Sequence, residues 1–283
     1  MLLLARPFPE IGMWGREYQW EPPGGRNVTV RVDIEDRPAG RVARIVVANP
    51  AKLNIVGRAT MEALIAAFAA LAGDAALRAV VLAGEGSRAF IGGADIGEMA
   101  ALDIGKARDF IMALHGVCQA IRDLPVPVVA RMQGYTLGAG LEIAAACDLR
   151  IAEVGARMGM PEVRIGIPSV IEAALLPMLI GWGRTRRLLM TGEMIGAETA
   201  EAWGLVEEVA PAGGLDGAVE RVLADLLAGG PHAMRQQKAL IRDWEGLTPN
   251  AAIARGVAVF AESWGTQEPT ERMAAFLASR RVR

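Results

Sequence analysis

The chain has 283 residues, 52% of them hydrophobic and 22% charged, with 30 basic and 32 acidic side chains. That is enough apolar material for a sizeable core, and the near-balance of charge argues against a nucleic-acid binder driven by bulk electrostatics. Mean hydropathy is positive, yet the longest apolar run, Ala63 to Ala72, falls far short of the roughly 18 residues a membrane span needs.

Residues 1–27 carry Pro7, Pro9, Pro22, Pro23, Gly24 and Gly25 among scattered tryptophans and read as an irregular N-terminal extension. The opening Met-Leu-Leu-Leu-Ala is too short for the apolar region of a signal peptide. Val28, Val30, Val32 and Ile34 alternate with polar residues, the mark of a half-buried strand. A turn at Asp36–Gly40 leads to a second strand, Val42–Val47, so the pair predicts a hairpin. Met61, Leu64, Ile65, Phe68 and Leu71 then fall at helical spacing. Ala79–Ala83 is a short buried strand, and Gly84 to Ala94 reads as a glycine-rich loop. A helix is predicted over Lys106–Leu124, stopped by Pro125 and Pro127. Val128–Met132 is a strand, Gly134–Gly138 a loop, Leu141–Cys147 a helix and Asp148–Ala152 another strand. Beyond Pro168 the strand signals nearly stop, and the remaining periodic segments read as helices. The alternation of strand and helix predicts an α/β fold built of βα units. Its core spans residues 28–210, and a helical region follows over 211–283.

Cys118 and Cys147 are the only cysteines, and His115 and His232 the only histidines. This is no disulfide framework and no zinc cluster, and it fits a reduced, cytoplasmic setting. No metal site is assigned, and a carboxylate-only Mg²⁺ site is the alternative left open. Acid–base chemistry falls to carboxylates. His115 borders the apolar side of its helix and reads as a packed, neutral histidine.

Three segments carry chemical promise. In the first, Ala89-Phe-Ile-Gly-Gly-Ala-Asp95, a Gly-Gly-Ala turn precedes Asp95, which reads as the N-cap of a short helix starting at Ile96. Such a turn aims backbone N–H groups outward, as an oxyanion site requires. A tight turn closed by a cap is the ordinary alternative. In the second, Gly138-Ala-Gly-Leu-Glu142, a strand feeds a helix start, and Glu142 lies in its first turn among wholly apolar neighbours. A charge there needs a partner or a reason; the alternative is a carboxylate favoured by the helix end. The third is Met160-Pro161-Glu162, where the proline fixes the direction of a glutamate that would otherwise be a solvated loop residue. Glu142 and Glu162 together form a candidate carboxylate pair.

With Asn49-Pro50, Asn54, Cys147-Asp148, Thr191-Gly-Glu193, Ala202-Trp-Gly-Leu-Val206 and Met273-Ala-Ala-Phe-Leu277, these segments resemble the crotonase, or enoyl-CoA hydratase/isomerase, family in their order and spacing over about residues 28–283. The resemblance implies a spiral of ββα units with a C-terminal helical region that packs between subunits, in trimers or hexamers. It implies an acyl-CoA thioester substrate, with coenzyme A part of that substrate and no separate cofactor, and no nucleic-acid or membrane partner. It places the thioester carbonyl between the amides of Ala94 and Ala139. It makes Glu142 and Glu162 the catalytic pair, with Ala89, Ile91, Gly92, Gly93, Asp95, Ile96 and Gly138 around the substrate. Keeping both glutamates favours hydration of an enoyl thioester, or the reverse dehydration, over isomerisation; another crotonase-type reaction, or a non-catalytic scaffold, is the alternative. Two departures stand out: Ala139 where many members have glycine, and Ile167-Pro-Ser-Val-Ile-Glu172 where many are glycine-rich.

Overall fold

The computed structural model describes residues 29–280. The proposed extension over 1–27 therefore lies outside the described residues. The first two strands, β1 (Val30–Arg37) and β2 (Gly40–Val47), form the expected antiparallel hairpin, with Val30 opposite Val47 and Arg37 opposite Gly40. Helix α1 (Arg58–Ala72) follows, burying Met61, Leu64, Phe68 and Leu71 on one side. The chain continues through β3 (Leu77–Gly84), β4 (Ala89–Ile91), the one-turn α2 (Ile96–Met99) and the long α3 (Ile104–Asp123). Next come β5 (Val128–Met132), β6 (Tyr135–Leu137) and α4 (Ala139–Ala146), then β7 (Leu149–Glu153) and β8 (Arg157–Gly159). Helix α5 (Leu176–Thr191), β9 (Met194–Gly196), α6 (Ala197–Trp203) and β10 (Glu208–Ala210) close the sheets. Four helices end the chain: α7 (Leu215–Ala228), α8 (Pro231–Gly246), α9 (Pro249–Ser263) and α10 (Glu268–Arg280).

The strands sort into two sheets. One has the order β1-β2-β3-β5-β7-β10 and the other β4-β6-β8-β9. Each turn of the chain gives one strand to each sheet: β3 and β4, then β5 and β6, then β7 and β8. Within each sheet these successive strands pair in parallel. That repeat is the spiral of ββα units. Helices α1, α3 and α4 fill the inside, with Phe68, Phe90, Leu114, Val117 and Leu141 in one core. A second core lies on the other side of the larger sheet, where Leu215, Val219 and Leu223 of α7 cover Val42, Val81, Val129 and Ile151. The helical region expected after residue 210 thus begins with a helix that seals the sheet.

Three expectations need correction. The glycine-rich loop Gly84–Ala94 contains β4, and Gly134–Gly138 contains β6. The segment beyond Pro168 contains β9 and β10 as well as helices. All four strands are three residues long, too short for alternation to register; they exist because a neighbouring strand pairs with them.

Lys238 of α8 is buried and donates to the carbonyls of Ile121 and Val126 and, at 2.7 Å, to Asp148. This ties the C-terminal helices to the end of α3. On α9, by contrast, Ile253, Val257 and Phe260, with Trp264 just past its end, form an exposed apolar stripe at helical spacing, continued on α10 by Met273, Phe276 and Leu277. No described helix is long and apolar enough to cross a membrane.

Candidate active site

The site forms where β4 and β6 end. Parallel pairing sets Ile91 beside Thr136 and so carries the segments after each strand out together. After β4 the chain bonds back to the residues following β2: the Gly92 N–H reaches the Leu53 carbonyl, the Val56 N–H the Gly93 carbonyl and the Asp95 N–H the Val56 carbonyl. These bonds use the groups on either side of Ala94. Its own N–H faces the other way and has no partner among the described residues. Asp95 then caps α2, its Oδ1 accepting from the N–H groups of Gly97 and Glu98.

After β6 the backbone turns at Gly138, with φ +52°, into α4. A Cβ on Gly138 would lie 2.5 Å from Glu162 Oε1, and one on Gly140 would lie 2.0 Å from the Ile91 carbonyl oxygen. Glycine at these two places lets the helix start press against β4 and lets the Glu162 carboxylate reach it. Ala139 is the first residue of α4, so its N–H has no carbonyl one turn back to meet. Two unpaired amides, Ala94 and Ala139, therefore leave the ends of adjacent strands.

Both glutamates stand beside these amides. Glu142 is only 4% exposed, and its Oε1 accepts the Ala173 N–H at 3.2 Å. Burial first, then the negative charge of Glu162, pushes its carboxyl up to about 8. Glu162 is half-buried in the turn after β8, and its Oε2 accepts from the Ser169 hydroxyl at 2.8 Å. The structure thus brings together Ala94, Ala139, Gly138, Glu142 and Glu162. Gly92, Gly93 and Asp95 are half-buried beside them, and Ile96 is exposed at the rim. Ala89 and Ile91 have fully buried side chains and serve as framework through their backbone.

Several residues at the site had no role assigned from the sequence. Asn54, wholly buried with φ +54°, accepts from the Asn49 N–H and donates to the carbonyls of Glu85 and Ala89. Gln133 donates to the carbonyls of Gly84, Gly86 and Ala89. Together they fix the loop between β3 and β4. His115, expected to be a packed histidine, is half-buried and also meets a carboxylate. Its Nδ1 pairs with Glu172 Oε1 at 2.9 Å. The sequence signal for this pair was present: Glu172 interrupts an otherwise apolar stretch, as Glu142 does. Beyond Asp95 opens a cleft of about 540 Å³ whose lining includes Asn49, Lys52, Thr60 and Glu98.

Two parallel stacks wound from one spiral, with unpaired amides at the ends of neighbouring strands and a buried carboxyl beside them, define an enzyme of the crotonase fold. The chain belongs to the enoyl-CoA hydratase/isomerase family, whose sequence model matches residues 37–283. It is 31% identical over 244 residues to a short-chain-enoyl-CoA hydratase of Clostridium acetobutylicum, covering 86% of this chain and 94% of that one. It is 33% identical over 247 residues to a crotonyl-CoA hydratase of Syntrophomonas wolfei, with 86% and 94% covered. Among solved structures, the enoyl-CoA hydratase of Bacillus anthracis superposes with a TM-score of 0.84 at 28% identity, over 89% of this chain and 97% of that one.

Proposed function

We propose that this enzyme adds water across the double bond of a 2-enoyl-CoA thioester to give the 3-hydroxyacyl-CoA, or runs the reverse dehydration. The observation that carries this reading is the carboxyl pair, Glu142 and Glu162, set within electrostatic reach of each other beside two unpaired amides. Water attacking the β-carbon sends negative charge to the thioester oxygen. The Ala94 and Ala139 amides are placed to receive it, and the N-terminal end of α4 adds its partial positive charge behind Ala139. Glu142 takes a proton from the attacking water. Glu162 gives one to the α-carbon. Burial and the mutual charge of the two carboxyls keep one proton on the pair; water attacks when that proton sits on Glu162 and Glu142 is ionised. Gly92 lets the end of β4 press against Leu53, Gly138 lets the Glu162 carboxylate approach, and the Asp95 N–H on the Val56 carbonyl holds the first amide in place. Coenzyme A arrives as part of the substrate, and the chemistry calls for no further cofactor or metal. The names of the relatives favour a short acyl chain. A place in the cytoplasm belongs to the same reading, supported by Cys118 and Cys147, both buried free thiols.

The test is loss of enoyl-thioester ultraviolet absorbance on mixing with crotonyl-CoA. Glu142→Gln and Glu162→Gln should each lower kcat by ~10²–10⁴, and the double variant should be little worse than either, because the two act as a unit. Full activity in both single variants would remove the pair from the chemistry. Full activity in Glu142→Gln alone would favour a single-base isomerase.

A further inference from the structure

The turn before α5 holds a buried charge that the two-glutamate scheme does not use. Ile171 has φ +38°, a left-handed conformation that a β-branched residue keeps only where its surroundings over-determine it. The next residue, Glu172, is 5% exposed. Its Oε1 accepts from His115 Nδ1 at 2.9 Å and from Gln119 Nε2 at 3.4 Å, both on α3. Its Oε2 is buried without a partner among the described residues. Gln119 is itself held by Arg242 of α8, which donates to its Oε1 at 2.8 Å. The residue after Glu172 is Ala173, whose N–H binds Glu142. Consecutive residues thus face two ways: one side chain grips α3, and the next amide grips the glutamate of the site.

A half-satisfied carboxylate in this position costs stability, and its charge works against the ionisation of Glu142. An apolar residue would fill the space without that cost. We infer that Glu172, anchored by His115 and Gln119, is a positioning residue that holds the strained Ile171–Ala173 turn so that the Ala173 amide fixes the Glu142 carboxyl. The groups facing this cluster are His115, Cys118 and Gln119 from α3, Glu142 from α4 and Glu162 beyond it, with Arg242 reached through Gln119. The inference rests on Glu142 being a proton-transfer group.

The experiment compares Glu172→Ala, Glu172→Gln and His115→Ala in the full chain on crotonyl-CoA. Glu172→Ala should lower kcat by about 10- to 10²-fold, the scale of a displaced catalytic group, with KM nearly unchanged. Glu172→Gln keeps an acceptor for His115 and Gln119, so it should restore most of kcat. It also removes a negative charge, so the limb of the kcat–pH profile set by Glu142 should move to lower pH. His115 is one-third exposed at its side chain, and His115→Ala keeps the test decisive if Glu172→Ala does not fold: kcat should fall while KM holds. A folded Glu172→Ala with unchanged kcat, or with raised KM alone, overturns the inference. So does an equal loss in Glu172→Gln. Should the wild type hydrate no enoyl thioester, the proposed function fails separately, and amide hydrogen exchange over residues 170–176 decides the tether. Protection at Ala173 lost in Glu172→Ala and kept in Glu172→Gln supports it; unchanged protection in Glu172→Ala overturns it.

Discussion

Burial and a like charge hold the Glu142 proton up to about 8, with consequences for both rate and stability. The scheme needs one proton on the pair, so kcat/KM should fall as pH rises through about 8, where the pair loses its last proton. A kcat/KM that keeps rising above pH 8 would show that no carboxyl of the pair donates a proton. For stability, the folded-state value lies above the unfolded one, so the folded chain holds the proton longer. Stability is therefore fully present below about pH 4.5 and is lost as pH rises toward 8. Glu142→Gln removes the ionisation altogether. The variant should gain in thermal midpoint over the wild type, and the gain should be larger at pH 8.5 than at pH 5. An equal difference at both pH values would show that the carboxyl is not perturbed as described.

At the scale of elements, the first turn of α4 and the end of α3 each make a sharp prediction. Proline suits the first position of a helix because the N–H it lacks has no intrahelical partner. Ala139→Pro should therefore fold and bind thioester yet lose turnover by ~10²–10³, the worth of one oxyanion donor, while Ala139→Gly stays active. Folded, inactive Ala139→Gly would speak against the amide. Lys238 is 8% exposed and offsets its desolvation with Asp148 and two carbonyls. Lys238→Ala leaves both carbonyls unmatched and Asp148 with the Val128 N–H alone, and should cost about 3 kcal/mol in denaturant unfolding. The sequence made the long elements legible: α3 over Ile104–Asp123 and β5 over Val128–Met132 announce themselves by periodicity and by the prolines between them. Glu142 and Glu162 were legible as charges out of place. The strands β4 and β6 were not, because three residues cannot show a period of two, and neither was the bond from Ala173 to Glu142, which joins residues 31 positions apart. Asn54 and Gln133 hid for a similar reason: their partners are backbone carbonyls, which no side-chain pattern records.

The molecule carries an exposed apolar stripe along its C-terminal helices. Ile253, Val257 and Phe260 of α9 are each about two-thirds exposed, and a continuous stripe of this sort marks a protein contact. We expect closed rings of identical chains, a trimer or a pair of trimers. Light scattering at micromolar concentration should give three or six times the chain mass, and Val257→Asp with Phe260→Asp should reduce it. A wild-type monomer would contradict this.

The pairing of β4 with β6 also sets a length. Neighbouring strands lie about 4.8 Å apart, and two amides held at that spacing can share one acceptor. A single oxygen about 2.9 Å from each nitrogen then meets the two donors at an angle near ~110°, close to the spread of lone pairs on a carbonyl. The ladder is in this sense a gauge. The segments past the strands can vary in sequence, as Ala139 does, while the strand pairing that brings them together stays fixed. A shift of one strand against the other would spoil the angle even with every side chain in place.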